Sequence, residues 1–583
     1  GGFYMIIDME NQNTTGQIIR SLLKKEHAIS IFSKEAAHAI EAKAIKIDLD
    51  RGKITLAIHY TGSSLSPYFK NDTICFDIEA SHPSPSIEEE IYNIEQVPAH
   101  VVKIDACTYH LECQLPNSIF ASDNRGALRV PFILGMHARV HLEVFAHELN
   151  VEGKVRNLSV GGCMVYVSLE DSMALSVNQT LPEVTLEFPN GETFNTQGRI
   201  RHMRPFGSHD YAAIGIEFIN MTATMTETLF HYVSESEFEA AFRSGLQDSN
   251  SRAKSRLFIA DAKEKKMQHK EERDQTKSSQ RSPLLRGVLE VAHQLQVMLM
   301  FTKNKDLFPE ESLYECVDSL LYMVNQDRKG LQYAMAFLHD EPEWVRHAIQ
   351  VGSQLAMILI SRDPYASQTR EAVAGALLHT MGKPLLISEQ LPSLKMHMSP
   401  SQAEMLKEHV VTLENRLTAL NWTASPACHN IILNANERLD GSGYPAGKTA
   451  AELSEHVRLI SVIKIINKLT HERNGQKPRQ PLDAYRWVNN CPTIYEKSLL
   501  VEYIQHFGLY PIGSLAKFSN GFLAWIMDVD TKGMPCKVNV IKNLSFRDTS
   551  IDTVLENSDF TQIGHLEGTV NPTDYNIHMV NHP

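Results

Sequence analysis

Two short motifs, about thirty residues apart, place the tightest constraint on this chain. Arg125-Gly-Ala-Leu-Arg129 carries two arginines, and Asn157-Leu-Ser159-Val-Gly-Gly162 combines a carboxamide, a hydroxyl and two glycines in a predicted turn. Arginine presents a planar fork of N–H donors that matches phosphate oxygens and the edge of guanine. Glycine exposes backbone that a ligand can approach closely. Together the motifs predict a site for a phosphate-bearing guanine ligand.

The residues after the first motif alternate with the period of a β-strand. Its apolar positions are Met136, Ala138, Val140, Leu142 and Val144. Further strands are predicted to 218, and 226–243 is predicted to be an amphipathic helix that buries Leu229, Phe230, Val233 and Phe238. This pattern resembles the PilZ domain, a bacterial receptor for cyclic di-GMP whose signature is RxxxR followed by (D/N)xSxxG. The resemblance implies a six-stranded β-barrel with a terminal helix over residues 120–243.

The resemblance to PilZ also implies a ligand and its contacts. Cyclic di-GMP is the expected ligand, and its binding residues would be Arg125, Arg129, Asn157, Ser159 and Gly162. Because the RxxxR segment precedes the barrel, we expect a flexible linker that becomes ordered on the ligand and changes the angle between neighbouring domains. Family members bind one ligand or an intercalated pair, so both stoichiometries stay open.

Composition restricts the other function classes. The 583 residues suffice for several domains, and 43% of them are hydrophobic. With 56 basic and 69 acidic side chains, the net charge of −13 argues against a nucleic-acid polymer as the main partner. Eight scattered cysteines without a CxxC pair suit a reducing compartment. No apolar run reaches the length of a membrane span, so we expect a cytoplasmic protein.

The segments beside the predicted PilZ domain carry no motif. Residues 1–119 alternate short strands with turns, after a helix predicted at 17–38. They loosely resemble the small β domain that precedes PilZ in YcgR-like proteins, and a β-rich scaffold of unknown role is the alternative. Residues 244–284 are rich in charged and polar residues and predict a linker, helical in part or disordered. A solvated spacer is favoured there over a contact with an acidic partner.

Long stretches of helical periodicity fill residues 285–505. Near their end, Glu437-Arg-Leu-Asp-Gly-Ser-Gly-Tyr-Pro445 closely resembles the signature loop of HD-GYP phosphodiesterases. Gly375-Ala-Leu-Leu-His-Thr-Met-Gly-Lys383 resembles a second signature of that family, where His-Asp-x-Gly-Lys is expected. The resemblance implies an all-α HD-GYP-like domain, followed by a small β extension and tail at 506–583.

Active HD-GYP enzymes hydrolyse cyclic di-GMP with two or three metal ions, and this chain departs from their ligand pattern. The positions that match are Glu343, His347, His379 and His409. The positions that do not match are Thr380, Ala435, Asn436 and Lys464. Without a bridging carboxylate two metals repel each other, and a lysine adds positive charge. An ion pair of Lys464 with Glu343 or Glu437 would take the place of the metal.

We therefore expect no two-metal hydrolysis and no metal cofactor. A single residual ion on the four matching residues is one alternative. The favoured alternative is three core histidines whose hydrogen bonds are satisfied within the protein.

The retained signature loop has three interpretations. In the HD-GYP family it contacts other signalling proteins, such as diguanylate cyclases. Under this interpretation, the residues that would bind a partner are Asp440, Gly441, Gly443, Tyr444 and Pro445. The loop could instead pack on the helices as a scaffold, or the pocket could bind cyclic di-GMP without cutting it.

The resulting hypothesis is a cyclic di-GMP receptor. It signals through a catalytically inactive HD-GYP domain to a protein partner, either a diguanylate cyclase or a component of motility, pilus or biofilm control. One alternative is a PilZ-regulated HD-GYP phosphodiesterase. Another is a pure interaction protein with a silent PilZ domain.

Overall fold

The structure is a computed structural model in which the chain forms two compact units, Gly1–Ser279 and Gln280–Pro583. The described residues are 28–33, 35–36, 38–48, 51–80, 90–115, 129–132, 135–145, 148–206, 210–243, 255–278, 282–395, 397–546 and 548–577. Arg125 and most of the helix predicted at 17–38 lie outside them.

Six antiparallel strands close the first barrel. They are β1 Ala28–Phe32, β2 Ile40–Asp48, β3 Lys53–His59, β4 Thr73–Ala80, β5 Glu90–Lys103 and β6 Thr108–Gln114, in the order β1-β2-β3-β6-β5-β4. The predicted helix is wrong at Ala28–Phe32. Ile29 and Ile31 are both buried there, and β1 pairs with β2 and β4, so the period of two prevails.

The second barrel confirms the predicted six-stranded architecture and adds one short strand. Its strands are β7 Val130–Pro131, β8 Arg139–Phe145, β9 Leu149–Leu158, β10 Gly162–Ser168, β11 Thr180–Glu187, β12 Thr193–Pro205 and β13 Tyr211–Ile219. The sheet order is β10-β13-β12-β11-β8-β9-β7, and a further β9–β10 pairing closes six strands into a ring. Val140, Leu142 and Val144 are buried, as their alternation predicted. A short helix, α1 Leu169–Ser172, follows β10.

Helix α2, Ala223–Arg243, packs against β7 and β12 of this barrel. Leu229 and Val233 are buried, as expected for residues four apart on one helix face. Phe230 and Phe238 were expected on the same face, but they are 59% and 48% exposed. The apolar face is therefore narrower than the count of apolar residues suggested.

The segment predicted as a linker contains helix α3, Ala262–Ser278. Arg139 on β8 donates to Glu264 at 2.9 Å and to Glu271 at 2.7 Å. Lys154 on β9 adds an ion pair to Glu271 at 3.2 Å. This part of the segment is thus held on the second barrel by its acidic residues, and it is not a free spacer.

The second compact unit begins with helices and ends with a sheet. The helices are α4 Pro283–Asn304, α5 Glu310–Gln326, α6 Arg328–Met335, α7 Glu343–Arg362, α8 Thr369–Leu378, α9 Gly382–Leu385, α10 Pro400–Leu406, α11 His409–Ala419, α12 Pro426–Asn434, α13 Glu455–Thr470, α14 Pro481–Asn489 and α15 Lys497–Phe507. The predicted β extension is an antiparallel sheet of β14 Leu515–Phe518, β15 Phe522–Val529, β16 Pro535–Asn543, β17 Ser550–Glu556 and β18 Leu566–Val570. Among the helices that the structure describes, none is long and apolar enough to cross a membrane.

Candidate functional site

The two sequence motifs of the second barrel meet at strand β7. Val130–Pro131 pairs in antiparallel register with Asn157–Leu158 of β9. Extending that register by one residue places Arg129 opposite Ser159. The second arginine of the first motif therefore lies beside the turn that carries the second motif.

Side chains of the second motif shape their own turn. Ser159 is buried, and its Oγ accepts the backbone N–H groups of Gly161 and Gly162, both at 3.2 Å. The Oδ1 atom of Asn157 accepts the backbone N–H of Met164 at 3.1 Å. Ser159 thus fixes the turn, whereas Asn157 can offer its Nδ2 to a ligand.

Gly162 is required by a neighbouring strand. It pairs with Glu217 of β13, and a Cβ atom at this position would collide with the carbonyl oxygen of Ile216. The sequence suggested that a glycine here admits a ligand. The close approach that the structure shows is that of β13 to the glycine backbone.

We expect Gly162→Ala to lower the free energy of unfolding by about 1–3 kcal/mol, because β13 must shift to make room for a methyl group. Urea unfolding followed by circular dichroism measures this change. Gly352→Ala is the matched control, since its Cβ would meet Leu377 at an ordinary 3.4 Å. An unchanged stability of the Gly162 variant would contradict the tight packing.

Arg129 contacts the first barrel. Its Nη1 lies 3.6 Å from Oε2 of Glu95 on β5, and the two side chains are 28% and 23% exposed. Sequence reasoning missed Glu95, because one acidic residue in a strand without a motif gives no signal. Arg125 lies outside the described part of the chain, so its contacts stay a prediction.

A buried arginine joins the two barrels. The Nη1 atom of Arg204 on β12 lies 3.5 Å from Oδ2 of Asp77 on β4, and the side chains are 2% and 4% exposed. The guanidinium also stacks on Phe32, with Cζ 3.8 Å from the ring centroid. Sequence reasoning missed this residue as well. Alternation gave no signal for it, because the register of β12 shifts between Ile200 and His202 and the adjacent Met203 and Arg204 are both buried.

In the helical unit, the three histidines of the altered metal pattern come together. His347 lies on α7, His379 directly follows α8, and His409 begins α11; all three are buried. The ring centroids of His347 and His379 are 5.7 Å apart. The Nε2 atom of His409 lies 3.1 Å from the hydroxyl of Tyr444.

Hydrogen bonds assign the protonated nitrogen in two of these rings. The Nδ1 atom of His379 donates to the carbonyl oxygen of Ala376. The Nδ1 atom of His347 lies 2.9 Å from Oδ1 of Asn467, whose amide nitrogen donates to Gln350. That amide orientation points an oxygen at Nδ1 of His347, so this nitrogen carries the proton. In both rings Nε2 is therefore unprotonated and keeps its lone pair.

The positions that depart from the metal pattern have contacts of their own. The hydroxyl of Thr380 donates to the carbonyl oxygen of Trp344 at 2.9 Å. The Nζ atom of Lys464 donates to Oδ1 of Asn436 at 2.9 Å. Ala435 is buried and offers no ligand atom.

The expected pairing of Lys464 with Glu343 or Glu437 is wrong. Glu343 is bound by Nε of Arg473 at 3.0 Å. Glu437 is buried and accepts the backbone N–H groups of Ala446 and Lys448, which follow the signature loop, at 2.7 and 2.9 Å. Both carboxylates therefore accept hydrogen bonds from other donors, and Lys464 donates to the side-chain amide of Asn436 instead.

Burial and nearby cations keep the three histidines neutral. Burial lowers the pKa of each ring well below its usual value, and the charges of Lys383 and Lys464 lower it further. Burial, and then the charge of Arg473, also lowers the pKa of the half-buried Lys383 to about 7. Lys383 is the last residue of the second signature motif, and the motif alone did not predict a role for it.

The donor groups do not fit a pair of metal ions. Within the described ranges, no three His, Cys, Asp or Glu side chains are arranged to hold one. Glu343 is the single carboxylate among the four matching residues, and it is bound by Arg473. Lys464 places an amine, and no anionic group, where divalent ions would need anionic ligands; burial and then the charge of Lys383 lower the pKa of this amine well below its usual value.

The signature loop folds back on the helices. Its Tyr444 reaches His409, and Gly443 has no room for a Cβ atom beside the backbone of Asn436 and Arg438. Asp440 accepts the backbone N–H of Ser442 at 2.9 Å. Among the five residues predicted to bind a partner, Asp440 and Pro445 are exposed, and Gly441, Gly443 and Tyr444 are half-buried.

Two family models match the chain. The PilZ domain model matches residues 123–235, and the HD domain model matches residues 332–489. The chain therefore contains a PilZ domain in its first compact unit and an HD domain in its second. The resemblances to PilZ and to HD domains that were inferred from the sequence motifs are therefore confirmed at the level of the domain family.

Known proteins resemble parts of the chain. Cyclic di-GMP phosphodiesterase PA4108 of Pseudomonas aeruginosa is 22% identical over 159 residues, which cover 27% of this chain and 38% of that protein. Cyclic di-GMP phosphodiesterase PdeB of Borreliella burgdorferi is 21% identical over 179 residues, covering 30% and 46%. The chain thus matches less than half the length of either relative. The structure of YcgR from Escherichia coli, solved in complex with cyclic di-GMP, is also similar. The match covers 40% of this chain and 95% of the YcgR chain, with 13% sequence identity and a TM-score of 0.22.

Proposed function

We propose that this chain is a cytoplasmic receptor for cyclic di-GMP. The residues that would bind the dinucleotide are Arg125, Arg129, Asn157, Ser159 and Gly162. The observation that carries this proposal is the pairing of Val130–Pro131 with β9, because it brings Arg129 to the turn of the second motif. Eight cysteines that are all free thiols accord with a reducing compartment.

The contacts of Arg129 leave it available to such a ligand. Its ion pair with Glu95 is partly exposed, and exposed pairs contribute at most about 1 kcal/mol. Arginine forms stronger, paired hydrogen bonds with phosphate oxygens. A phosphodiester can therefore displace Glu95, and this exchange would remove one contact between the two barrels. Asn157 would offer its amide nitrogen to a guanine edge, beside the turn that Ser159 holds.

We infer that the HD domain does not hydrolyse the dinucleotide. The support is chemical, since Lys464 brings no anionic ligand and Ala435 brings no ligand atom to positions where metal-binding groups are needed. Such a domain would pass the ligand state to a protein partner, a diguanylate cyclase or a component of motility, pilus or biofilm control. The exposed Asp440 and Pro445 of the signature loop are candidates for that contact.

Isothermal titration of cyclic di-GMP into the full chain tests the proposal, with the ligand recovered afterwards and identified by chromatography. We expect micromolar or tighter binding, about −8 kcal/mol in binding free energy, with the dinucleotide intact. Absence of binding would refute the receptor. Binding with the ligand converted to pGpG or GMP would refute the inactive HD domain.

A second candidate is a phosphodiesterase controlled by its PilZ domain. Two similar proteins are cyclic di-GMP phosphodiesterases, and the Nε2 lone pairs of His347 and His379 are the form in which histidine binds metals. Metal analysis of the purified chain separates the candidates. Two or more iron or manganese ions per chain, together with product formation, would favour the enzyme.

A further inference from the structure

A segment that follows α2 along the chain folds back on the second barrel. We call residues 255–278 the strap; they end with helix α3. At the start of the strap, the Oγ atom of Ser255 donates to Glu235 at 2.6 Å, and its backbone N–H donates to Glu239 at 3.0 Å. Both glutamates are buried residues of α2, which packs against β7. The strap therefore begins next to the strand that directly follows Arg129.

The middle of the strap packs between two aromatic side chains of the barrel. The ring of Phe258 lies edge to face against Phe132, with centroids 5.5 Å apart, and against Phe188, with centroids 6.1 Å apart. All three side chains are buried. Phe132 is the third residue after Arg129, so the strap touches the segment that carries the first motif of the candidate site.

The far end of the strap is held by charge. Glu264 and Glu271 of α3 bind Arg139 of β8, whose side chain is 11% exposed. Between the two ends, the backbone N–H of Asp261 donates to the carbonyl oxygen of Pro189 at 2.9 Å. The strap is thus fixed to the barrel along its whole length, with Phe258 near its start and α3 at its end.

Strand β7 has few backbone contacts of its own. It consists of two residues at the edge of the described sheet, where it pairs with β9. Its Pro131 has no N–H to donate. The backbone N–H of Phe132 donates to the carbonyl oxygen of Arg156 at 2.9 Å. Packing of the Phe132 ring therefore contributes much of what fixes β7, and with it the position of Arg129.

We propose that Phe258 is a positioning residue of the cyclic di-GMP site, and that docking of the strap is coupled to ligand binding. This inference rests on the proposed function, because it concerns the same site. A docked strap holds Phe132 in place, so Arg129 loses less conformational freedom when it binds a phosphate. Coupling between two sites is reciprocal. The ligand therefore stabilises the docked strap by the same factor by which docking raises the affinity for the ligand.

This coupling acts on the residues that lead to the HD domain. Helix α3 ends at Ser278, and α4, the first helix of the second compact unit, begins at Pro283. Binding of the dinucleotide therefore restrains the part of the first unit that directly precedes the second. A partner that released α3 from the barrel would in turn weaken binding of the dinucleotide.

Isothermal titration of cyclic di-GMP into the full chain tests the role of Phe258. Phe258→Ala should weaken binding about tenfold, because Phe132 loses the ring against which it packs. Phe258→Leu keeps an apolar contact and should recover most of the affinity. Phe230→Ala is the matched control: this phenylalanine of α2 is 59% exposed, and its variant should bind like the parent. Circular dichroism verifies that each variant folds.

Hydrogen exchange of the backbone amides of α3 measures the reciprocal effect, and in the parent chain it needs no variant. Saturating cyclic di-GMP should slow this exchange about tenfold, and Phe258→Ala should abolish the slowing. No binding to the parent would refute the receptor and the coupling together. Binding to the parent with unchanged exchange in α3, or with unchanged affinity in Phe258→Ala, would overturn the coupling and leave the receptor in place.

Discussion

Replacing Arg125 and Arg129 together by alanine is expected to abolish measurable binding of cyclic di-GMP to the full chain. Hydrogen bonds to charged groups contribute about 1.5–3 kcal/mol each, so losing one from both arginines weakens binding by at least about a hundredfold. The fold should survive, because the ion pair of Arg129 with Glu95 is partly exposed and contributes little. Isothermal titration measures the affinity, and circular dichroism verifies the fold.

Two matched variants make this result specific. Glu95→Gln breaks the same ion pair but leaves the ligand groups in place, so it should retain binding. Arg256→Ala removes an exposed arginine of the same compact unit and should bind like the parent. An unchanged affinity of the double arginine variant for cyclic di-GMP would show that this motif does not form the binding site. If Glu95→Gln also lost binding of cyclic di-GMP, the loss in the double arginine variant would be due to the broken contact between the barrels and not to missing ligand contacts.

The sequence predicted the fold wherever one periodicity dominated a segment. Val140, Leu142 and Val144 alternate without interruption, and their strand was correctly predicted. Ala28–Phe32 was wrongly included in a helix, because five residues at the end of a helical pattern are ambiguous. Pairing with β2 and β4 decides that segment, and such long-range pairing is not encoded in local propensity.

The sequence predicted which residues belong to the candidate sites but not what they contact. Arg129 was recognised from its motif, whereas its partner Glu95 belongs to another barrel. Lys464 was recognised as foreign to the metal pattern, yet its expected carboxylate partners are bound by other donors. These contacts depend on which chain segments pack together, so a motif alone could not supply them.

Breaking the buried ion pair between the two barrels should have the largest effect on stability. Asp77→Ala is expected to lower the free energy of unfolding of the first compact unit by about 3–5 kcal/mol, because Arg204 would remain as an uncompensated buried charge. Asp48→Ala is the matched control. It breaks an exposed pair with Arg51 on the same barrel and should cost no more than about 1 kcal/mol. Urea unfolding followed by circular dichroism compares the two.

The double variant Asp77→Leu with Arg204→Met separates the charge from the packing. Replacing a buried ion pair by apolar residues is often close to neutral, so we expect the double variant to recover most of the stability lost in Asp77→Ala. Phe32 should favour this recovery, because a methionine can pack against the ring on which the guanidinium now lies. A loss in Asp77→Ala no larger than in Asp48→Ala would mean that apolar packing, rather than this pair, holds the barrels together.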